Sequence, residues 1–221
     1  MKDLSITQEY MICTVNEEGI LSSHNQKAIV CLIVSGVLEM QLEKCVYLKD
    51  KKLTVCAGLP ENMAYLKPLY DVINQGKPVK AEKVVETYTA AFTNKKLNEL
   101  VDALMDGLKA ADVVELVKTG LLKNKDTFVP KKEVITGIIE KIRAELLEDG
   151  EISEEVVALT VLMEEAGSLN EYFSKFEQKE LKTKLETIKN SDAGTFVKEM
   201  VQHMDELMAS MLISSVIAST I

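Results

Sequence analysis

Apolar residues recur at three- to four-residue spacing over most of this chain and alternate with polar ones over only short stretches, a pattern of many helices and few strands. Ser5 or Thr7 can cap a first helix that runs to about Val15, where Asn16-Glu17-Glu18-Gly19 turns the chain. From about His24 to Ser35 the residues are almost continuously apolar, which predicts a deeply buried second helix with Gly36 as its left-handed C-cap. Beyond it, Leu38-Glu39-Met40-Gln41-Leu42 and Cys45-Val46-Tyr47-Leu48 alternate at the period of strands, and Lys49-Asp50-Lys51-Lys52 supplies a polar turn before Leu53-Thr54-Val55. Leu59-Pro60 and Lys77-Pro78 bracket a short helix, and helical spacing resumes from about Ala81 to Val117.

The last third reads as helix after helix: Glu133 to Leu147, Ser153 to Ala166, Leu169 to Lys189 and Gly194 to about Ser219. Ser153-Glu154-Glu155 and Ser191-Asp192 are start signals. Ahead of these helices, Lys123 to Lys132 reads as a hairpin with Thr127-Phe128-Val129-Pro130 at its tip. The segments Leu32 to Leu38, Leu116 to Leu122 and Glu148 to Ser153 each join a helix end, a glycine and apolar residues, an echo that ordinary C-capping explains without a duplication. The fold class is therefore mainly α: a single compact multi-helix domain over 1–221 with one or two small β-hairpins on its rim. Ile29, Leu32, Ile33, Val161, Leu162 and Met211 are expected in its core.

Composition makes that core aliphatic, because the chain has 10 methionines and no tryptophan. The formal charge of −9 repels phosphate on average, so any contact with nucleic acid or lipid must come from a local patch. Arg143 is the only arginine, which leaves lysine to meet phosphate as a point charge without the planar fork. Cys13, Cys31, Cys45 and Cys56 show no zinc spacing and no secreted disulfide framework, and read as buried free thiols. The Met-Lys-Asp start has no apolar signal core, and the late apolar run Leu207 to Ile221 spans about 15 residues against the roughly 20 that cross a bilayer. The expected setting is cytoplasmic, soluble and reducing.

Catalysis leaves little trace. His24 and His203 are the only histidines, no nucleophile signature lies near either, and the phosphate-loop, hydrolase and zinc-protease motifs are all unmatched. The expectation is a protein that is not an enzyme, with no cofactor and no metal site. Against the acidic background, Lys118, Lys123, Lys125, Lys131 and Lys132 surround the apolar Phe128 and Val129 with only Asp126 opposing them. Basic flanks around an apolar hairpin suit an anionic bilayer, each lysine contributing on the order of 1 kcal/mol. The plain alternative is a solvated hairpin whose lysines keep its edge from pairing.

Several of these segments, taken in order, resemble the Golgi-phosphoprotein-3-like family. Leu4-Ser5-Ile6-Thr7-Gln8-Glu9 echoes its leucine-rich opening pattern LTLxEE, and Ile29 through Glu39 around Gly36 follows LxELxLxGxLxLE. LVKTGLL at Leu116 to Leu122 and EEVVALTVLMEEAGSLNEYF at Glu154 to Phe173 continue the likeness. The resemblance implies a mostly helical protein, and the eukaryotic members bind phosphatidylinositol 4-phosphate at the Golgi and act as adaptors for membrane enzymes. Their headgroup pocket uses a tryptophan and three arginines. Here the tryptophan has no counterpart, the first arginine falls at about Asn25 with Lys27 nearby, and the other two fall near Asp106 and Lys109. Their projecting hairpin, which touches the bilayer, corresponds to about Lys123 to Lys132. The chain thus reads as a divergent, bacterial-type member that keeps the fold and has lost most of the phosphoinositide pocket.

The partners this implies are an anionic lipid surface, with a phosphoinositide as the family's headgroup, and a protein client. A winged-helix transcription regulator is the rival reading, but its recognition helix would be Ala28 to Val34, which is apolar throughout, and the acidic charge also opposes DNA. A purely structural interaction module is the third reading.

Overall fold

The computed structural model describes residues 4–89, 94–119, 125–148, 150–190, 200 and 202–210. Helix α1 (Ile6–Thr14) opens with a capping box in which the Ser5 hydroxyl accepts from the Gln8 N–H and the Gln8 side chain accepts from the Ser5 N–H. Helix α2 (Gln26–Leu42) is capped by the Asn25 side chain, which accepts from the Ala28 N–H, and every residue from Ala28 to Met40 is buried. The Tyr10 hydroxyl ties α1 to α2 through the Ala28 carbonyl at 3.0 Å. Helix α7 (Glu154–Ala166) packs on both, so α2 lies at the centre of a helical core.

Here the structure corrects the sequence reading. Gly36 is not a cap and Leu38 to Leu42 is not a strand; both lie inside α2. The alternation arises because Glu39 is buried with its carboxylate fully engaged, Oε1 accepting from the Thr7 N–H and Oε2 from the Tyr65 hydroxyl. Gly36 instead permits close approach of the next layer, since a Cβ there would stand 2.7 Å from Leu69 Cδ2 and 3.1 Å from Leu66 Cδ2. The actual end of α2 is at Glu43, followed by Lys44 at φ 57°, with Cys45 N–H donating to Met40 O and Lys44 N–H to Gln41 O. That is a Schellman ending formed by a lysine in place of glycine.

Strands β1 (Val46–Lys49) and β2 (Lys52–Val55) form the expected ribbon, closed by Asp50 and Lys51 at φ 51° and 59° in the manner of a type I′ turn. β3 (Val79–Lys80) joins β2 to complete a three-stranded antiparallel sheet. A 3₁₀ turn (Glu61–Leu66) leads into α3 (Lys67–Ile73), and α4 (Ala81–Thr89) and α5 (Lys95–Ala110) follow. The helix expected to continue to Val117 stops at Ala111, and Val114–Thr119 forms β4, paired antiparallel with β5 (Lys125–Pro130). Thr127 to Pro130 therefore lie within β5, and Pro130 pairs with Val114 at the hairpin's base. The tip, with Gly120 and Lys123, falls outside the described residues.

Helix α6 (Lys132–Ile142) runs into a π-helical turn (Arg143–Leu147). After α7, Gly167 at φ 79° caps the helix end, and the expected Leu169 to Lys189 helix is split into α8 (Leu169–Tyr172) and α9 (Lys175–Asn190). The break is a second capping box, in which Ser174 N–H donates to the Glu177 carboxylate and Glu177 N–H to the Ser174 hydroxyl. A last helical stretch covers 202–210, so part of the helix expected from Gly194 lies outside the described residues, as does Met211. Among the expected core residues, Ile29, Leu32, Ile33 and Leu162 are buried, while Val161 is half-buried. The structure is mainly α with small β-hairpins, and its buried side chains form one cluster that includes Ile6 at one end of the chain and Met208 at the other.

Candidate functional site

The last turn of α5 and the base of the β4–β5 hairpin come together. Asp106 and Lys109 share one helix face by their three-residue spacing, and Lys109 Nζ donates to Asp106 Oδ1 at 2.9 Å. The same ammonium stands 4.4 Å from the centroid of the Phe128 ring, a cation–π distance. Just past the end of α5 the chain turns at Asp112, whose φ is 58°, with Val113 N–H donating to Leu108 O and Asp112 N–H to Lys109 O. Lys131, just beyond β5, reaches back so that its Nζ donates to Asp112 O at 2.8 Å and Oδ1 at 2.9 Å. A cation at a helix C-terminus meets the negative end of the helix dipole, so Lys131 braces the hairpin against α5.

The register sorts the hairpin's side chains. Phe128 faces Leu116 across the ladder, and Lys118 faces Asp126 at an ion-pair distance of 3.4 Å, all on one face. Phe128 is packed against the core beneath Lys109, whereas Leu116 is 58% exposed. The apolar side chain held out to the surroundings is therefore Leu116, which the sequence reading did not single out. Its only signal was the pairing with Phe128, and that appears once the turn length is known. Val129 lies on the opposite face beside Glu115, and Lys132 is exposed. Lys123 lies outside the described residues, and Lys125 is described as the first residue of β5.

Loop 16–24 joins the site from the other side. Gly19 has φ 68°, and a Cβ there would collide with the Phe128 carbonyl, so this glycine is required by conformation and by contact. Asn16 Oδ1 accepts from the Glu18 and Ile20 N–H groups and fixes the loop. Between this loop and α5 lies a cleft of about 530 Å³ whose polar lining includes Asn16, His24, Asn98 and Asp102, with neither lysine nor arginine in its walls. A phosphomonoester here would meet the Asp102 carboxylate, with no lysine or arginine among the described residues of the walls to counter it.

Each of the four positions matched to the family's headgroup residues has a local setting of its own. Asn25 caps α2 and its amide reaches the Ala166 carbonyl at 3.5 Å, while Lys27 is exposed in the first turn of the helix. Asp106 is an acid that neutralises Lys109. The single arginine lies elsewhere: Arg143 Nε donates to Glu177 at 2.9 Å, Nη1 to Glu140 at 2.8 Å and Nη2 to the Tyr172 carbonyl at 3.0 Å, over the Phe173 ring. The Arg143 hydrogen bond, then the Ser174 N–H and hydroxyl, hold the Glu177 carboxyl down at about 2.

Four further groups are shifted chiefly by burial. Burial pushes the Cys13 thiol up, and pushes Cys31 up to about 12. Burial lowers His203, with Glu206 opposing, and raises Glu9, with Lys141 opposing and Glu155 and Glu145 adding to the rise. Cys45 and Cys13 are buried as expected, but Cys56 is exposed. Among the described residues no three His, Cys, Asp or Glu side chains gather as a metal-binding group, and no helix is long and apolar enough to cross a membrane.

No curated protein matches the chain. The family model described as Golgi phosphoprotein 3 (GPP34) matches residues 6–207, from the first residue of α1 to the closing helical stretch. The match includes α2, the β4–β5 hairpin and α7, the segments whose residues carried the resemblance. The chain therefore belongs to the Golgi phosphoprotein 3 family.

Proposed function

We propose that this protein is a non-enzymatic, peripheral membrane-associating adaptor that meets anionic lipid through the β4–β5 hairpin, without a phosphoinositide-selective pocket. The observation that carries the reading is Leu116, 58% exposed on a hairpin face that also carries Lys118, with Lys132 exposed at the hairpin's base. Family membership supports membrane association and an adaptor role, and the absence of cationic lining in the cleft beside α5 supports loss of headgroup selectivity.

The magnitudes favour modest binding. Lys109 and Lys118 are each neutralised by an aspartate, but exposed ion pairs of this kind contribute only about 0–1 kcal/mol and can be exchanged for lipid phosphate. A bilayer surface returns on the order of 1 kcal/mol per lysine, and burying one leucine adds about 1.5–3 kcal/mol at most. The sum supports reversible binding at the cytoplasmic face of a membrane.

The test is flotation of the protein with neutral vesicles, phosphatidylserine vesicles and vesicles matched in charge by phosphatidylinositol 4-phosphate. Equal flotation on the two anionic compositions, weakened by salt, is expected. Flotation only with the phosphoinositide would restore a selective pocket, and none with any vesicle would remove the membrane role. A protein-interaction module is the second reading, favoured by Phe176, which stands 72% exposed beside a groove of about 490 Å³ between the π-helical turn and α9. The DNA-binding reading loses its recognition helix, because Ala28 to Val34 is wholly buried.

A further inference from the structure

The β1–β2 hairpin sets two cysteines opposite each other that the lipid site does not use. The register pairs Val46 with Val55, and one step further sets Cys45 opposite Cys56, where the ladder continues through a hydrogen bond from Cys56 N–H to Cys45 O at 2.8 Å. Directly opposed residues of an antiparallel pair present their side chains on one face, and the Cα separation of about 5.5 Å at a hydrogen-bonded pair falls inside the roughly 4.4–6.8 Å that disulfides span. The Cys56 thiol itself donates to the Lys44 carbonyl at 3.0 Å, so its sulfur sits over the peptide that leads into Cys45.

The two thiols differ in access. Cys45 is 1% exposed, covered by the Glu43–Lys44 turn that ends α2, whereas Cys56 is exposed. Cys13 and Cys31 are fully buried within α1 and α2, away from this hairpin in sequence and by element. An oxidant arriving from solvent meets Cys56 first and finds Cys45 behind it.

We propose that Cys45 and Cys56 form a reversible dithiol–disulfide site, with Cys56 as the entry thiol and Cys45 as the resolving thiol, that exchanges with small-molecule disulfides of the glutathione class. The Cys56 thiol loses its proton and its thiolate attacks one sulfur of oxidised glutathione, breaking that S–S bond and releasing one glutathione thiolate. The Cys45 thiolate then attacks the Cys56 sulfur of the mixed disulfide and releases the second glutathione. One protein dithiol and one oxidised glutathione thus give one protein disulfide and two reduced glutathiones, with two electrons passing from protein to glutathione. Burial raises the Cys45 thiol above its ordinary value, which keeps it from direct attack on solvent disulfides and suits the resolving role.

The experiment incubates the reduced full chain with excess oxidised glutathione, quenches it in denaturant with a maleimide, and maps the products by mass spectrometry. The expected wild-type product is a linked Cys45–Cys56 peptide pair, with Cys13 and Cys31 alkylated. C45S, or C45A as a second choice checked for fold by circular dichroism, should instead hold one glutathione on Cys56, and C56S should remain unmodified. A wild-type chain that accumulates stable glutathione on Cys56 while Cys45 still takes maleimide would overturn the proposal. So would a C56S chain modified at Cys45, or a wild-type chain that does not react.

Discussion

Gly36 offers the sharpest test of how the core is built, because its helical φ leaves packing as the sole reason for a glycine. In an exposed helix, Gly36→Ala would stabilise by about 0.5–1 kcal/mol through backbone entropy. Here the new Cβ would stand 2.7 Å from Leu69 Cδ2 and 3.1 Å from Leu66 Cδ2, while carbon contacts ordinarily settle at about 3.5–4.0 Å. Both leucines are fully buried, so neither can swing away without displacing a third side chain. Overpacking of this order costs about 1–3 kcal/mol, which leaves Gly36→Ala destabilised by roughly 1 kcal/mol net. Gly36→Val, with two further methyls, should lose about 3 kcal/mol. In thermal melts, where 1 kcal/mol corresponds to about 2–4 °C at this chain length, Ala should lower Tm by a few degrees and Val by about 6–12 °C. The deciding assay is a urea-denaturation double-mutant cycle with Leu69→Ala, itself expected to cost about 2–5 kcal/mol. Once Leu69 Cδ2 is gone, Gly36→Ala should become neutral or stabilising. If its cost is the same in both backgrounds, the close approach of Leu69 is not the reason for the glycine.

Other expectations follow from local geometry. Lys44→Gly relieves a left-handed lysine at the end of α2 and should raise stability by about 0.5–1 kcal/mol in urea melts. Glu9 is held above the ordinary carboxylate range by burial, so the folded state binds its proton more tightly and stability falls as pH rises through its folded value; Glu9→Gln should stabilise at neutral pH, with the difference vanishing below about pH 4. Glu177 is the opposite case, held down at about 2 by Arg143 first, so its contribution is present above the unfolded value near 4 and fades as pH falls toward 2. Glu177→Gln should flatten the acid limb of the stability profile over that window.

Helices α1, α6 and α7 and the β1–β2 ribbon were legible because apolar period, caps and turn residues agree there; Ser5, Ser153 and the Asp50-Lys51 turn are visible as letters. The misreadings share a cause. A left-handed residue was sought at Gly36, while the chain turns at Lys44 and Asp112, whose side chains give no warning. Glu39 looked like the polar position of a strand because its buried partners, the Thr7 N–H and the Tyr65 hydroxyl, are distant in sequence. At the candidate site the lysine excess could be read directly, but its pairing with Asp106, Asp112 and Asp126, and the exposure of Leu116 on the same face where Phe128 is packed against the core, depend on register and packing.

The hairpin's role is tested most directly by reversing its charge. Lys123, Lys125 and Lys132 changed together to Glu, with Leu116→Ser and with Lys131 kept because it braces α5, should leave the circular dichroism spectrum unchanged. Flotation on phosphatidylserine vesicles at physiological salt, where the Debye length is about 8 Å, should then be lost relative to wild type. Undiminished flotation of this variant would place the membrane contact elsewhere on the molecule and contradict the account.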